Sequence, residues 1–348
     1  MARPEDRRAA RPLALPQHVP HQPPQPLLGA GLDLGRVRPL GQPRHRARRR
    51  PRRRPAVAIP HAGDHRLKAD LHCHSHYSDG RESPAALVAR ARAAGIDVLA
   101  LTDHDTLAGL PEAAAVKQVG IELVPGIEFS AFVKPVEVHI VGLWIDPQSP
   151  ALIEAVSGYD QMRRRRAERM AEKIRALGVP LEFERVLAVH RKGVFGRPHV
   201  AQALKEMGAV ATFQDAFKQF IGRDAPAYVR KEMLDAPAVI GAIHSAGGVA
   251  VLAHGLVGGP DRPHVEALAE MGIDAVEVVH PKLTTEQSRW LREFAAKKGL
   301  LVSGGSDWHG EGWSEGRIGD WTVGEEEVRA LRQRRRGQAP KPLETRKD

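Results

Sequence analysis

Three histidines at alternate positions, His72, His74 and His76, run straight into Asp79 and Gly80. In an extended segment side chains alternate between faces, so His72 and His74 point the same way and can share one metal ion, while Asp79 returns from the following loop. With 17 histidines in 348 residues, about one His-x-His pair arises by chance, so this pair takes its meaning from the rest of the chain. The same residue types recur at His104, Glu128, His139, His254, Asp307 and His309. Imidazole nitrogen and carboxylate oxygen without sulfur suit Mn²⁺, Fe²⁺ or Zn²⁺ and are too rich in nitrogen for Mg²⁺ or Ca²⁺ alone. Several such ions close together acidify a water toward pKa ~7 and clamp the attacking and leaving oxygens of a displacement at phosphorus. Hydrolysis of a phosphoester by a metal-activated hydroxide is the chemistry this set predicts. A Walker-type loop, a Gly-x-Ser-x-Gly elbow and a nucleophilic cysteine are all missing, so phosphoryl transfer from ATP and serine hydrolysis have no support.

These residues need a scaffold that collects them. From residue 67 the chain alternates short apolar runs with amphipathic stretches, the pattern of a parallel α/β protein. Strands are expected at Leu67 to His72, Val98 to Leu101, Ile121 to Pro125, Val136 to Leu143, Val249 to Ala253, Ala275 to Val279 and Leu300 to Gly304. Helices are expected at Ser83 to Ala94, with Gly95 as the stop, and at Glu286 to Lys298, closed by Gly299. Between about Asp146 and Pro237 the rhythm gives way to a helical insertion, with helices over Ile153 to Leu177, His199 to Met207 and Phe213 to Phe220. In parallel barrels and doubly wound sheets functional groups gather where strands end, and nearly every expected strand leads into a ligand-type residue. His76 and His280 lack a partner at ligand spacing and are left outside the ligand set. Asp103 and Asp105 read either as turn and capping residues or as groups orienting His104. The Arg163 to Arg166 run reads as a solvated helix face.

The net charge of +10 is unevenly placed. Residues 1 to 66 hold 15 Arg and no Lys against four acidic residues, a local charge of +11, so the remaining 282 residues carry −1. That segment also has 12 of the 27 prolines and no apolar periodicity, and is expected to be a disordered extension. It reads either as the product of a start codon assigned too far upstream or as an RNA-tethering arm around Arg44 to Arg54; a secretory signal does not fit the order of its apolar and basic pieces. Cys73 is the only cysteine, which rules out an intrachain disulfide and a thiolate metal site and fits a cytoplasmic protein. No apolar run approaches the roughly 18 residues needed to span a bilayer, and no obligate protein partner is evident. Residues 326 to 348 are expected to form a charged tail.

Asp70-Leu71-His72-Cys73-His74 with Ser78-Asp79-Gly80, then Leu101-Thr102-Asp103-His104-Asp105-Thr106, Pro125-Gly126-Ile127-Glu128, His139, Ala253-His254 and Gly305-Ser306-Asp307-Trp308-His309-Gly310 together resemble the polymerase and histidinol phosphatase (PHP) superfamily. The resemblance covers residues 67 to about 321. It implies a distorted (β/α)₇ TIM-like barrel over 67 to 325 and three metal ions, expected as Mn²⁺. Carried over position by position, His72, His74, Glu128 and Asp307 would hold the first ion, Glu128 with His139 and His254 the second, and Asp79, His104 and His309 the third. Asp307, Glu128 and His254 are the expected catalytic groups. The insertion and Gly196-Arg197-Pro198-His199 look like the branch containing 3′,5′-nucleoside bisphosphate phosphatases and 5′-to-3′ exoribonucleases. Arg197, His199 and Lys282 would then contact a nucleotide or short RNA substrate. Two rivals stay open at this point: another metal-dependent hydrolase, such as a histidinol-phosphate phosphatase or an amidohydrolase, and a nucleic-acid-binding protein with a structural metal site.

Overall fold

The computed structural model describes residues 66–116, 120–190 and 193–335. The expected extension up to residue 65 and the part of the expected tail beyond Arg335 lie outside them. In chain order come β1 (Ala69–Asp70), α1 (Pro84–Ala93), β2 (Val98–Leu101), α2 (Leu110–Ala115) and a hairpin of β3 (Glu122–Val133) with β4 (Val136–Leu143). Then α3 (Pro150–Ala176) opens an inserted group completed by α4 (Phe183–Ala188), α5 (Arg197–Glu206) and α6 (Phe213–Ala216), which a π-helical turn (Phe217–Ile221) extends. The barrel resumes with β5 (Leu234–Asp235), α7 (Ala236–Ser245), β6 (Val249–Ala253), α8 (Arg262–Glu270), β7 (Ala275–Val279), α9 (Thr285–Lys298), β8 (Leu301–Gly304) and α10 (Glu325–Arg334).

The sheet runs β1-β2-β3-β4-β6-β7-β8, with β5 paired to β3 off this path. Its open seam is drawn together by the Leu71 N–H donating to Gly304 O (3.1 Å) and the Asp307 N–H to His72 O (2.9 Å), which leaves a nearly closed barrel-shaped sheet. The seven expected strands match the seven on the path. The expectation of uniformly parallel pairing fails at β4, which is antiparallel to both β3 and β6. Only Lys134 and Pro135 join β3 to β4, and two residues can turn a hairpin but cannot carry a crossover helix. Strand three is correspondingly longer than expected, running through Glu128 to Val133.

Side-chain alternation sorts each strand into two layers. In β6, Val249, Val251 and Ala253 join the barrel interior with Ala69, Leu71 and Val98, whereas Ala250 and Leu252 pack against the outer helices beside Ile240 and Ile243. The region from 326 is helical as far as Arg334, and Val328 and Leu331 plug the interior cluster. This part of the expected tail is barrel wall, because its apolar residues stand one helical turn apart and find an unfilled end of the core. Helix α1 begins where Ser83 Oγ accepts from the Ala86 N–H (3.1 Å) and ends before Gly95 (φ 72°), as its capping residues require.

Helix α3 has two anchors. Leu152, Ala155 and Tyr159 pack on the barrel, while Ala167, Met170, Ala171 and Ile174 belong to a separate core formed by the inserted helices. Arg163 to Arg166 span the gap between them. No helix among the described residues is long and apolar enough to cross a membrane.

Candidate metal centre

The expected ligands lie at strand ends or, for Glu128 and His139, inside the β3–β4 hairpin. His72 and His74 leave β1, and the loop carrying Asp79 folds back because Asp103 braces it: its carboxylate accepts from the Ser75 N–H and from the Ser75 and Ser78 hydroxyls, each at 2.7 Å. Asp103 is therefore a loop brace and not a partner of His104. Asp105 accepts from the Ser130 N–H (2.8 Å) and pairs with the guanidinium of Arg163, tying α3 to the barrel. At His254 (φ 34°), directly after β6, and at Asp307 (φ 49°), three residues past β8, the backbone turns left-handed, a strained conformation for non-glycine residues at positions whose side chains meet the cluster.

Glu128 is the hub. Its Oε2 lies 3.2 Å from His72 Nε2, 3.1 Å from His74 Nε2 and 3.1 Å from His104 Nδ1; its Oε1 lies 3.0 Å from His139 Nδ1 and 3.2 Å from His254 Nε2. Asp307 Oδ1 stands 3.6 and 3.4 Å from His72 and His74 Nε2. Asp79 Oδ1 is 3.2 Å from His309 Nε2, and Oδ2 is 3.7 Å from His104 Nε2. Two donors each about 2.1 Å from one ion at octahedral or tetrahedral angles are about 3.0 to 3.4 Å apart, the spacing found around Glu128. His74 Nδ1, His104 Nδ1 and Glu128 Oε2 are buried without a hydrogen-bond partner, and each such orphan costs about 1–3 kcal/mol unless something completes it. The residues fit divalent cations.

Four sets bring their ligand atoms within 4.8 Å of one another: His72, His74 and Glu128; His104, Glu128 and His139; His74, Asp79, His104 and His309; and His72, His280 and Asp307. The first three contain most of the expected partition, with His74 and His104 shared between sets. His254 enters through Glu128, and Asp307 through His72.

Burial alone would raise Glu128 and Asp307, but the surrounding imidazoles outweigh it and hold both carboxyls well below their usual range. Burial also opposes a charged His74, yet Asp307, Glu128 and Asp79 prevail and lift it to about 10, whereas burial wins at His104 and lowers it to about 3. With neutral imidazoles the carboxylates of Asp79, Glu128 and Asp307 leave the cluster negative, and burial makes protonation of every imidazole unfavourable, as at His104. Cations can balance that charge.

Three comparisons bear on this centre. The PHP domain model matches residues 70–193, which takes in the ligand positions from His72 to His139. A 5′-3′ exoribonuclease of Haemophilus influenzae is 39% identical over 254 residues, covering 71% of this chain and 92% of its own. The chain belongs to the PHP family. A second PHP-family relative, a 3′,5′-nucleoside bisphosphate phosphatase of Chromobacterium violaceum, is 34% identical over 249 residues, with 70% of this chain and 87% of that protein covered. A Bifidobacterium adolescentis crystal structure provisionally described as a metal-dependent phosphoesterase superposes with a TM-score of 0.64 at 34% identity, over 76% of this chain and 94% of that one. The protein is accordingly a hydrolase of the metal-dependent phosphoesterase class, with a PHP barrel.

Within this PHP domain two buried groups escaped the sequence reading. Glu277 sits inside β7, where Oε1 accepts a hydrogen bond from His72 Nδ1 (2.8 Å) and Oε2 accepts one from the His254 backbone N–H (2.7 Å). It thereby leaves His72 Nε2 free to bind a metal. Its signal was a lone carboxylate in an otherwise apolar strand. His280, left outside the ligand set, is fully buried 3.3 Å from Asp307 Oδ2. Its Nδ1 accepts the Lys282 N–H (3.2 Å), and its Nε2 is buried beside Asp307 without a hydrogen-bond partner, which groups it with His72 and Asp307 as a set able to face an ion. Glu277→Gln is expected to weaken metal affinity 10- to 100-fold, seen as a rightward shift in metal titrations of activity; an unchanged titration would remove Glu277 from this role.

The expected substrate residues fare unequally. Arg197 lines a cavity beside the cluster, and Lys282 reaches the cluster itself, Nζ lying 2.8 Å from Asp307 Oδ2. His199 does not line that cavity. Its Nδ1 accepts from the Gly196 N–H (3.1 Å) and its ring stacks on Phe195, so it caps and packs α5 rather than facing substrate. The Arg163 to Arg166 run is likewise only half solvated: Arg163 and Arg166, one helical turn apart, line the cavity, while Arg164 and Arg165 point outward to Asp160 and Glu232.

Proposed function

We propose that the protein hydrolyses phosphate esters of nucleotides, releasing the 3′-phosphate of 3′,5′-nucleoside bisphosphates or cleaving short RNA from its 5′ end, at three divalent ions, Mn²⁺ before Fe²⁺ or Zn²⁺. The observation that carries this reading is a cavity of about 410 Å³ lined both by Asp79, His104 and His139 of the cluster and by Arg166, Arg197 and Arg223. The side-chain hydrogen bonds of Arg166 and Arg197 go to backbone carbonyls, of Val229 (2.8 Å) and Ile221 (3.4 Å). No carboxylate lies within ion-pair distance of Arg223 among the described residues. Burial, and then the nearby Arg197 and Arg163, lower Arg166 to about 10. Glu137, which also lines the cavity, is engaged by Lys231 (2.9 Å), and the crowded guanidiniums, with no ion pair of their own among the described residues, suit a polyanion and can grip phosphate in a fork. A substrate with two phosphates spans the cavity, one at the cluster and one at the arginines.

The residues assigned to metal binding are His72, His74, Asp79, His104, Glu128, His139, His254, Asp307 and His309. Bound ions would acidify a water and neutralise the phosphoryl oxygens. Glu128, Asp307 and His254 would orient that chemistry from the floor of the cluster, and Lys282 and Arg197 would bind the phosphates from either side. A nucleotide substrate and a single cysteine fit a cytoplasmic setting.

Incubation with Mn²⁺ and a 3′,5′-bisphosphate nucleotide is expected to give inorganic phosphate and the 5′-monophosphate; a short 5′-phosphorylated RNA is expected to give mononucleotides from its 5′ end. Chromatography of the products tests both. Release from histidinol phosphate or cleavage of an amide, with neither nucleotide touched, overturns this reading.

A further inference from the structure

Past the cluster, on the loop that follows β8, stands Trp313. It is 66% exposed, the most exposed large hydrophobic side chain among the described residues. The loop that presents it is built tightly: the His309 N–H donates to Ser314 Oγ, and the Trp313 and Ser314 N–H groups both donate to Gly310 O at 3.2 Å. Gly310 (φ 122°) and Gly312 (φ 76°) allow this fold-back, and a side chain on Gly310 would strike Arg81. The guanidinium of Arg81 lies 4.1 Å from the indole centroid. No carboxylate pairs with Arg81 among the described residues, in contrast to Arg90, held nearby by Glu82.

Both residues are rooted in the candidate metal centre. Arg81 is two positions after Asp79, and its N–H donates to His309 O (2.9 Å); two residues of chain reach at most about 7 Å. Trp313 and Arg81 are both exposed, and among the described residues no side-chain hydrogen bond or ion pair engages the Arg81 guanidinium. An aromatic face with an unpaired cation, both flanking a phosphoesterase centre, combine the stacking and charge that hold single-stranded nucleic acid.

We infer that Trp313 and Arg81 form a base-stacking platform that holds the next nucleotide of a single-stranded RNA, one step beyond the nucleotide at the cluster. This rests on the proposed nucleotide activity for its biological sense but not for its test. The platform favours oligonucleotides over mononucleotides because only the former reach it.

The test is binding, followed by fluorescence anisotropy, of a labelled cleavage-resistant 2′-O-methyl oligoribonucleotide to the metal-loaded full chain, with a nucleoside 5′-monophosphate, the expected product, as competitor. Trp313→Ala is expected to raise the oligonucleotide Kd about tenfold, Trp313→Phe to restore it to within about twofold, and the competitor's Kd to stay the same in all three proteins. An unchanged oligonucleotide Kd, or equal weakening toward both ligands, overturns the platform. If wild-type protein and Trp313→Ala differ as expected while neither nucleotide substrate is hydrolysed, the platform stands and the proposed activity falls.

Discussion

Asp307→Asn is expected to lower turnover of a nucleotide phosphoester about a thousandfold, in a protein that still folds. Asp307 Oδ1 faces the Nε2 atoms of His72 and His74, and Oδ2 faces Lys282 and His280. Asparagine keeps the shape of the side chain and tolerates the left-handed backbone at this position (φ 49°). What it loses is charge, and its amide group must point the N–H₂ side either at the cation that His72 and His74 would hold or at the Lys282 ammonium. Both orientations are repulsive. Phosphate release by the purified, metal-loaded variant, with a thermal melt beside it, checks the two halves of the expectation. Wild-type turnover in the variant would place the chemistry elsewhere.

Removal of divalent ions is expected to abolish hydrolysis and to lower the melting temperature by on the order of 10 °C, since ions that bind only the folded chain stabilise it by mass action. Without them His72 and His74 Nε2 face each other at 3.0 Å, and Glu128 Oε2 and His104 Nδ1 remain buried and unpaired. Adding back Mn²⁺ is expected to restore both properties, and elemental analysis of the active protein to count three ions. Activity that survives exhaustive chelation would contradict the metal mechanism; full activity with fewer ions would correct the stoichiometry alone.

Much of the barrel was legible because strands and helices carry their own periodicities. The fully buried run Val98 to Leu101 and the capped helix after Ser83 announce themselves locally. The reversal of β4 did not, although its cause, a two-residue connection between two strands, was present once β3 was read past Pro125. That misreading followed from treating Pro125 as a strand end, when the strand continues through Gly126 to Val133. The arginines of α3 show the same limit in a helix: residue type marked the run as charged, but the phase of the helix between its two apolar anchors turns Arg163 and Arg166 toward the cavity and their neighbours away. His199 shows the converse, an expected site residue whose surroundings are local. A histidine three residues after Gly196 can cap its own helix, and local backbone geometry decided that it does.

Donor type and nearness to expected strand ends marked a cluster of candidate ligands, and the family resemblance implied the set of nine, although Glu128 and His139 lie inside the β3–β4 hairpin rather than after a strand. Residue type did not fix their grouping. Glu128 meets His254 across 126 residues of chain, and His72 meets Glu277 across 205, distances settled by strand order, by the register that sets His139 against Ser130 and Ala253, and by backbone turns at His254 and Asp307. Donor chemistry is a property of each residue taken singly. Which donors share an ion, which carboxylate sets a tautomer and which arginines remain unpaired are properties of distance, and those exist only once the sheet has closed.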